Sequence, residues 1–364
     1  MSHTTVLSQK CTNVNSLLCI LDVAIMKDKK TALLMEIARA YYLENRNQSE
    51  IARSAGVTRS QISRYLKEVR EKGIVQIQIV EPGRQFDDLR ASLKQAFPHL
   101  QEVIIAPAFS EDLESTREIV GRYAANFLRD AVRPGQTLVF GCGRTLRCVA
   151  NALLPRRIAG LSVVQAMGNL GHDAHGIDYN EITRAAAHPF EARPYFISSP
   201  AILGVGSGNA RDLIAANSTI SDVLAMARAG DVYVVGLGSL QSDQVYVRVG
   251  MIDQKEIDEL KGRAVGDICG RFFDEKGKER ASSFASRIIG IGLDDLRHGR
   301  LSLGVACGSD KVAPILGALR GRFINALASD QNTIAAVLLA AEGRNAGKKP
   351  LGMIKEPVLR RRKS

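Results

Sequence analysis

The sequence predicts an α/β protein in two parts: a small all-α helix-turn-helix domain, then a larger domain built on a mainly parallel sheet. Three observations carry this. The chain has 364 residues, more than one ordinary core accommodates when domains run to ~100–200 residues. Residues 31–72 repeat apolar side chains at helical spacing between capping signatures. Beyond residue 86, short β-branched runs alternate with helical patterns, as they do in a parallel sheet covered by helices. The expected divisions are a loose N-terminal extension over 1–30, the helix-turn-helix over 31–80, the α/β domain over 86–341 and a basic tail over 342–364.

From Thr31 to Tyr42, Leu33, Leu34, Ile37, Ala38 and Tyr41 fall on one helix face,. Asn47-Gln48-Ser49-Glu50 then reads as a helix start, with Asn47 as N-cap and Glu50 reaching back to it. Ile51, Ala52 and Ala55 are expected to face inward before Gly56 turns the chain at a positive φ. Thr58-x-x-Gln61 is a second capping box, opening a helix that runs to Lys72 before Gly73. Ala52, Gly56 and Ile62 stand at the spacing of a tight helix-turn-helix. Ile62, Tyr65, Leu66 and Val69 form the inner face of the third helix, which leaves Arg59, Ser60, Gln61, Ser63, Arg64 and Lys67 outside. Hydroxyls can bond phosphates, Arg can bond guanine bidentately and Gln can read adenine. With Gln48 and Thr58, these are the candidate DNA-binding residues. Such side chains usually indicate a solvated helix face, but the specific spacing of Ala52, Gly56 and Ile62 weakens that interpretation here. Ile74 to Val80 reads as a strand leaving the unit, and Glu81-Pro82-Gly83-Arg84 as the boundary.

Strands are expected at Val103–Ile105, Leu138–Phe140, Val163–Val164, Tyr195–Ile197, Val232–Val235, Ile288–Ile291 and Leu303–Ala306. Ligands of such sheets bind at the carboxyl ends of the strands, so the following loops carry the chemistry. Gly141-Cys142-Gly143-Arg144-Thr145 leads into a helix expected over Leu146–Leu154, where glycines let backbone amides approach an anion. Gly236-Leu237-Gly238-Ser239 admits a ligand close to the backbone. Cys307-Gly308-Ser309-Asp310-Lys311 adds a cation that can pair with phosphate.

Composition limits the function classes. The formal charge of +11 sits at the ends: residues 1–90 carry +4 and 342–364 carry +6, leaving the middle nearly neutral. The ends are therefore where a polyanion could be met, although the run Arg360-Arg361-Arg362-Lys363 reads as a solvated tail before it reads as a specific DNA contact. Cys11, Cys19, Cys142, Cys148, Cys269 and Cys307 form no C-x-x-C pair, so reduced thiols in a cytoplasm are expected. Leu17 to Met26 is too short to span a bilayer and is interrupted by Asp22. Residues 1–25 read as a loose extension or a misassigned start. His172, Asp173 and His175 lack further ligands at metal spacing, so no metal and no cofactor are expected. Cys142 and Cys148 default to small buried residues.

The stretch Gln48-Ser49-Glu50-Ile51-Ala52, Gly56-Val57-Thr58-Arg59-Ser60-Gln61-Ile62-Ser63-Arg64-Tyr65-Leu66 and Gly73-Ile74-Val75 resembles the SorC family of bacterial sugar-responsive regulators. So do the three glycine loops, the segment from Gly262 to Asp274, and the run from Lys311 through Ile315-Leu316-Gly317-Ala318-Leu319-Arg320-Gly321 to Asp330. The resemblance implies a fold similar to sugar-phosphate isomerases and deaminases, assembly into homodimers or homotetramers, and operator DNA affinity changed by a small sugar, polyol or sugar phosphate. It also implies effector roles for Gly141, Gly143, Arg144, Thr145, Gln165, Gly168, Asn169, Gly238, Ser239, Asp267 and Lys311. Asp267 would accept hydroxyl hydrogen bonds and Lys311 would bind phosphate. The chain departs from the family pattern at Cys142, Cys307 and Gln331.

The rival reading is an isomerase- or deaminase-type enzyme with an accessory DNA-binding domain, since Asp267 and Lys311 could act as a proton-transfer pair. Against it, Leu240-Gln241-Ser242-Asp243 stands where an Asp-Gly-His loop would be needed. A purely architectural DNA-binding protein fits poorly with a near-neutral body rich in glycine loops.

Overall fold

The computed structural model describes residues 30–42, 44, 46–75, 86–108, 112–171, 178–204, 206, 210–240 and 245–343. The extension over 1–29, most of the strand expected at Ile74–Val80, the boundary segment Glu81–Arg84, the residues His172, Asp173 and His175, and the tail from 344 lie outside the described residues. The chain divides into two compact units between Pro82 and Gly83.

Among the described residues, the first unit holds three helices: α1 (residues 30–42), α2 (Gln48–Ala55) and α3 (Arg59–Glu71). Their inner faces bury Leu34, Ile37, Ala38, Ile51, Ala52, Ile62, Leu66 and Val69. Both capping boxes form. The Asn47 side chain accepts from Ser49 and Glu50 amides while Glu50 accepts from Asn47 N at 3.0 Å. Thr58 N donates to Gln61 Oε1 at 2.9 Å and Thr58 Oγ1 accepts from Gln61 N at 3.3 Å. Gly56 caps α2 at φ 64°, its amide reaching back to Ala52 O. Ala55, expected inside, is exposed: the inner stripe of so short a helix is filled by Ile51 and Ala52.

The second unit is organised by a seven-stranded, fully parallel sheet. Its strands are β1 (Glu102–Ala106), β2 (Thr137–Phe140), β3 (Ser162–Gln165), β4 (Arg193–Tyr195), β5 (Val232–Gly236), β10 (Leu301–Val305) and β11 (Ala326–Asp330), in the order β1-β11-β10-β5-β2-β3-β4. A smaller antiparallel sheet joins β6 (Gly238–Ser239), β7 (Gly266–Ile268), β8 (Arg271–Phe273) and β9 (Glu279–Arg280). The helices are α4 (Asp87–Ala96), α5 (Leu113–Ala131), α6 (Arg144–Ala152), α7 (Tyr179–Ala187), α8 (Ala210–Ala216), α9 (Ser218–Arg228), α10 (Val245–Arg248), α11 (Gln254–Asp258), α12 (Leu293–His298), α13 (Val312–Arg320) and α14 (Gln331–Ala341).

Strands covered on both faces are apolar throughout, and the period of two divides their side chains between the two cores. On β2, Leu138 and Phe140 join the core under α5, α6 and α7, while Val139 joins the core under α4, α12, α13 and α14; β5 splits Val234 from Tyr233 and Val235 in the same way.

Three expectations of secondary structure in this unit need correction. The run Tyr195–Ile197 supplies only Tyr195 to a strand, because the Gln165 side chain, instead of the β3 backbone, accepts from Ile197 N at 2.8 Å. Ile288–Ile291 joins no sheet; it makes isolated bridges from Ile288 to Ile202 and from Gly290 to Met167. The helix after Gly143 begins at Arg144 and ends at Ala152, since nothing stops the helical turn from starting directly at the positive-φ glycine.

Candidate functional site

On the first unit, Thr58, Arg59, Ser60, Gln61, Ser63, Arg64 and Lys67 are all exposed along α3, and Gln48 is half-buried in the first turn of α2. Tyr41, Asn47, Gln48, Ser49, Arg53 and Arg59 line a shallow depression; Arg53, which the sequence reading passed over, adds a second cation there. Part of the polar face is already occupied. Gln61 and Thr58 close their capping box, Ser60 Oγ lies 3.0 Å from Thr58 Oγ1, and Lys67 pairs with Glu71 at 3.6 Å. Arg59 and Arg64 are the long donors on the outside of α3.

On the second unit, three adjacent strands in the order β10-β5-β2 end side by side, and their loops converge. The result is a cavity of about 180 Å³ lined by Gly141, Gly143, Arg144 and Thr145 after β2, Gly238 and Ser239 after β5, and Lys311 after β10, with Asp267 from β7. Eight of the eleven expected effector residues therefore meet.

Gly143 precedes α6 at φ 137°, where nothing would obstruct a side chain but the backbone favours glycine,. No side chain caps this helix start, and its first residues, Arg144 and Thr145, line the cavity, a position that favours an anion. Lys311 Nζ pairs with Asp310 Oδ2 at 3.2 Å, its side chain 19% exposed.

Asp267 is the buried acid of the site. Its Oδ2 accepts from Tyr246 Oη at 3.0 Å and from Gly270 N at 2.9 Å. Burial pushes the carboxyl above its ordinary value, while the Gly270 amide, the Tyr246 hydroxyl and the charge of Lys311 pull it back,. Burial likewise raises Tyr246 and Cys269, and pushes the Cys307 thiol up to about 12, so these two thiols stay protonated at neutral pH.

Gln165, Gly168 and Asn169 do not line the cavity. Gln165 is fully buried and spent on structure: Nε2 donates to Asn180 Oδ1 at 2.9 Å and Oε1 accepts from Ile197 N. Gly168 is a close-approach position, where a β-carbon would stand 2.5 Å from the Ser199 and Pro200 carbonyls. Asn169 exchanges backbone hydrogen bonds with Ser199 and Ala201. From this loop, Met167 and Leu170 reach the cavity instead.

The sequence reading missed Arg117 on α5 and Tyr246 and Arg248 on α10. Arg117 had a visible signal: with Val120, Ala124 and Leu128 it shares the buried stripe of α5, so a cation heads an apolar helix face. Among the described residues, the cavity wall thus carries Arg117, Arg144, Arg248 and Lys311 against the single acid Asp267.

Comparisons with known proteins bear on the chain as a whole. Residues 83–339 match the Sugar-bind family model, a sugar-binding domain. The chain is 30% identical over 314 residues to the deoxyribonucleoside regulator of Bacillus subtilis (strain 168), covering 86% of this chain and 99% of that protein. It is 31% identical over 310 residues to the sorbitol operon regulator of Klebsiella pneumoniae, covering 84% and 97%. The crystal structure of full-length SorC from Klebsiella pneumoniae superposes with a TM-score of 0.69 over 85% of this chain and 98% of that one, at 30% identity.

Proposed function

Since the chain belongs to the SorC family of sugar-binding transcription regulators, we propose that it controls carbohydrate or polyol catabolism through operator affinity switched by a phosphorylated sugar or polyol. One observation carries the phosphate half of this reading: among the described residues, the cavity is lined by the four cations Arg117, Arg144, Arg248 and Lys311 and by one acid, Asp267. Glu114 and Asp310, which are not among the lining residues, pair with three of these cations, and the excess of positive charge that remains favours an anion.

The roles follow from charge. Lys311, Arg144 and the amides around Gly143 and Thr145 take the phosphate, because a cation and an uncapped helix start both attract it. Asp267, with Gly238 and Ser239 beside it, takes hydroxyl groups, since a carboxylate repels phosphate and accepts from a polyol. On the first unit, Arg59, Ser60, Gln61, Ser63, Arg64 and Lys67, with Gln48 and Thr58, contact the operator.

The protein acts by binding and not by turnover. It works as a homodimer or homotetramer on a partly palindromic site, because one helix-turn-helix reads few base pairs and two-fold proteins match two-fold operators. No described helix is long and apolar enough to cross a membrane, and the site of action is the cytoplasm, where the operator is.

A thermal-shift screen of matched free and phosphorylated sugars and polyols tests the reading, because a ligand that binds only the folded state raises the melting temperature. Phosphorylated members should raise it most. If only free sugars did so, the phosphate assignment would fail.

A further inference from the structure

Two of the cations on the cavity wall are already held by an anion belonging to the protein. Glu114, in the first turn of α5, accepts from Arg117 Nη1 through Oε1, and the same oxygen stands 3.7 Å from Arg144 Nη1 on α6. The three side chains differ in their access to water: Arg117 is 8% exposed, Arg144 39% and Glu114 58%. Arg117 is therefore fixed by packing, and the carboxylate is the member that can leave. Asp112, the other acid near Arg117, is committed as the N-cap of α5, accepting from Ser115 N and Oγ at 2.9 and 2.7 Å.

We propose that Glu114 is an internal counter-anion that sets the affinity threshold of the effector cavity. It occupies Arg117 and Arg144 when the cavity is empty, and the anionic group of an effector must displace it to reach them. This rests on the phosphorylated-effector reading above. A water-accessible ion pair is weak enough to exchange, and a phosphate brings more negative charge to the two guanidiniums than the carboxylate it replaces. A neutral ligand leaves the pair intact and is indifferent to Glu114.

Calorimetric titration of the full chain with inorganic phosphate tests this. Glu114→Gln should bind phosphate about three- to tenfold more tightly than the wild type, the factor expected for two partly exposed ion pairs. The gain should vanish when Arg117→Gln is added, because the two effects share one partner. Unchanged or weaker phosphate binding by a folded Glu114→Gln protein would overturn the proposal, since the carboxylate would then be positioning the arginines and not competing for them. Glutamine also removes a charge that favours the start of α5. If that variant does not fold, Glu114→Asp, which keeps the charge and shortens the reach, should still tighten phosphate, and equal or weaker binding there overturns the proposal in the same way. A wild-type protein that takes up no phosphate at all would remove the anion-binding cavity itself, an outcome distinct from failure of the Glu114 role alone.

Discussion

A β-carbon at position 238 would stand 1.8 Å from Asp267 Oδ1. Gly238 and Asp267 are register partners in the antiparallel pair β6–β7, so the one acid among the described lining residues keeps its place because the residue opposite has no side chain. Tyr246 and Gly270 then fix the other carboxylate oxygen.

Gly238→Ala should therefore act on the site through Asp267. The carboxylate has to leave its two donors or the strands have to part, which costs about 1–3 kcal/mol. Urea unfolding should show a loss of that order, and the melting shift given by the effector should fall with it. Full stability with an unchanged ligand response would mean that Asp267 is not held by this contact.

The pH dependence of stability follows from the buried acid. Asp267 titrates above its ordinary value of 3.8 because it is buried. A raised carboxyl contributes stability that is fully present below the unfolded value and is lost as pH rises through the folded value. Asp267→Asn, neutral throughout, should gain on the wild type as pH climbs above 3.8, and the gain should level off once the carboxyl is ionised. Urea midpoints of the two proteins across that range check the sign; a difference that shrinks with rising pH would contradict it.

On the DNA side, Arg59→Ala and Arg64→Ala should each lose about 1–3 kcal/mol of operator discrimination and leave the effector-induced melting shift intact. Gln61→Ala differs from both. It opens the capping box at Thr58, so it should also lower the stability of the first unit, by about 1 kcal/mol. Operator titrations paired with unfolding curves separate the two kinds of loss, and unchanged operator affinity in both arginine variants would remove α3 as the reading helix.

Light scattering of the free protein and of its operator complex should report a dimer or tetramer, with two first units per operator. A monomer under both conditions would exclude a two-fold reading mode.

Much of this was legible in the sequence where local chemistry and final structure agree. The capping boxes at Asn47 and Thr58 and the positive φ at Gly56 are local devices, and each formed as its residues implied. The β-branched runs of β2 and β5 were legible because strands buried on both faces need continuous apolar side chains. Strand β11, Ala326-Leu327-Ala328-Ser329-Asp330, gave no such signal: it lies between β1 and β10, and its small residues are a consequence of that packing. Gln165 looked like a ligand contact and is a strand-end bracket, since a buried amide must satisfy its own donors and acceptors. Tyr246 was invisible for a further reason. Its partner is 21 residues away on another element, and no spacing rule joins them.

The central claim is that an anionic effector in the cavity changes operator affinity. Its most direct test is an operator titration of the wild type and of Lys311→Ala, with a phosphorylated ligand from the melting screen and with its free counterpart. The wild type should change operator affinity by about 5- to 150-fold with the phosphorylated ligand and far less with the free one. Lys311→Ala should bind operator normally without ligand and respond weakly to the phosphorylated form. A ligand that binds the protein yet leaves operator affinity unchanged, or an equal response from both proteins, would contradict the claim.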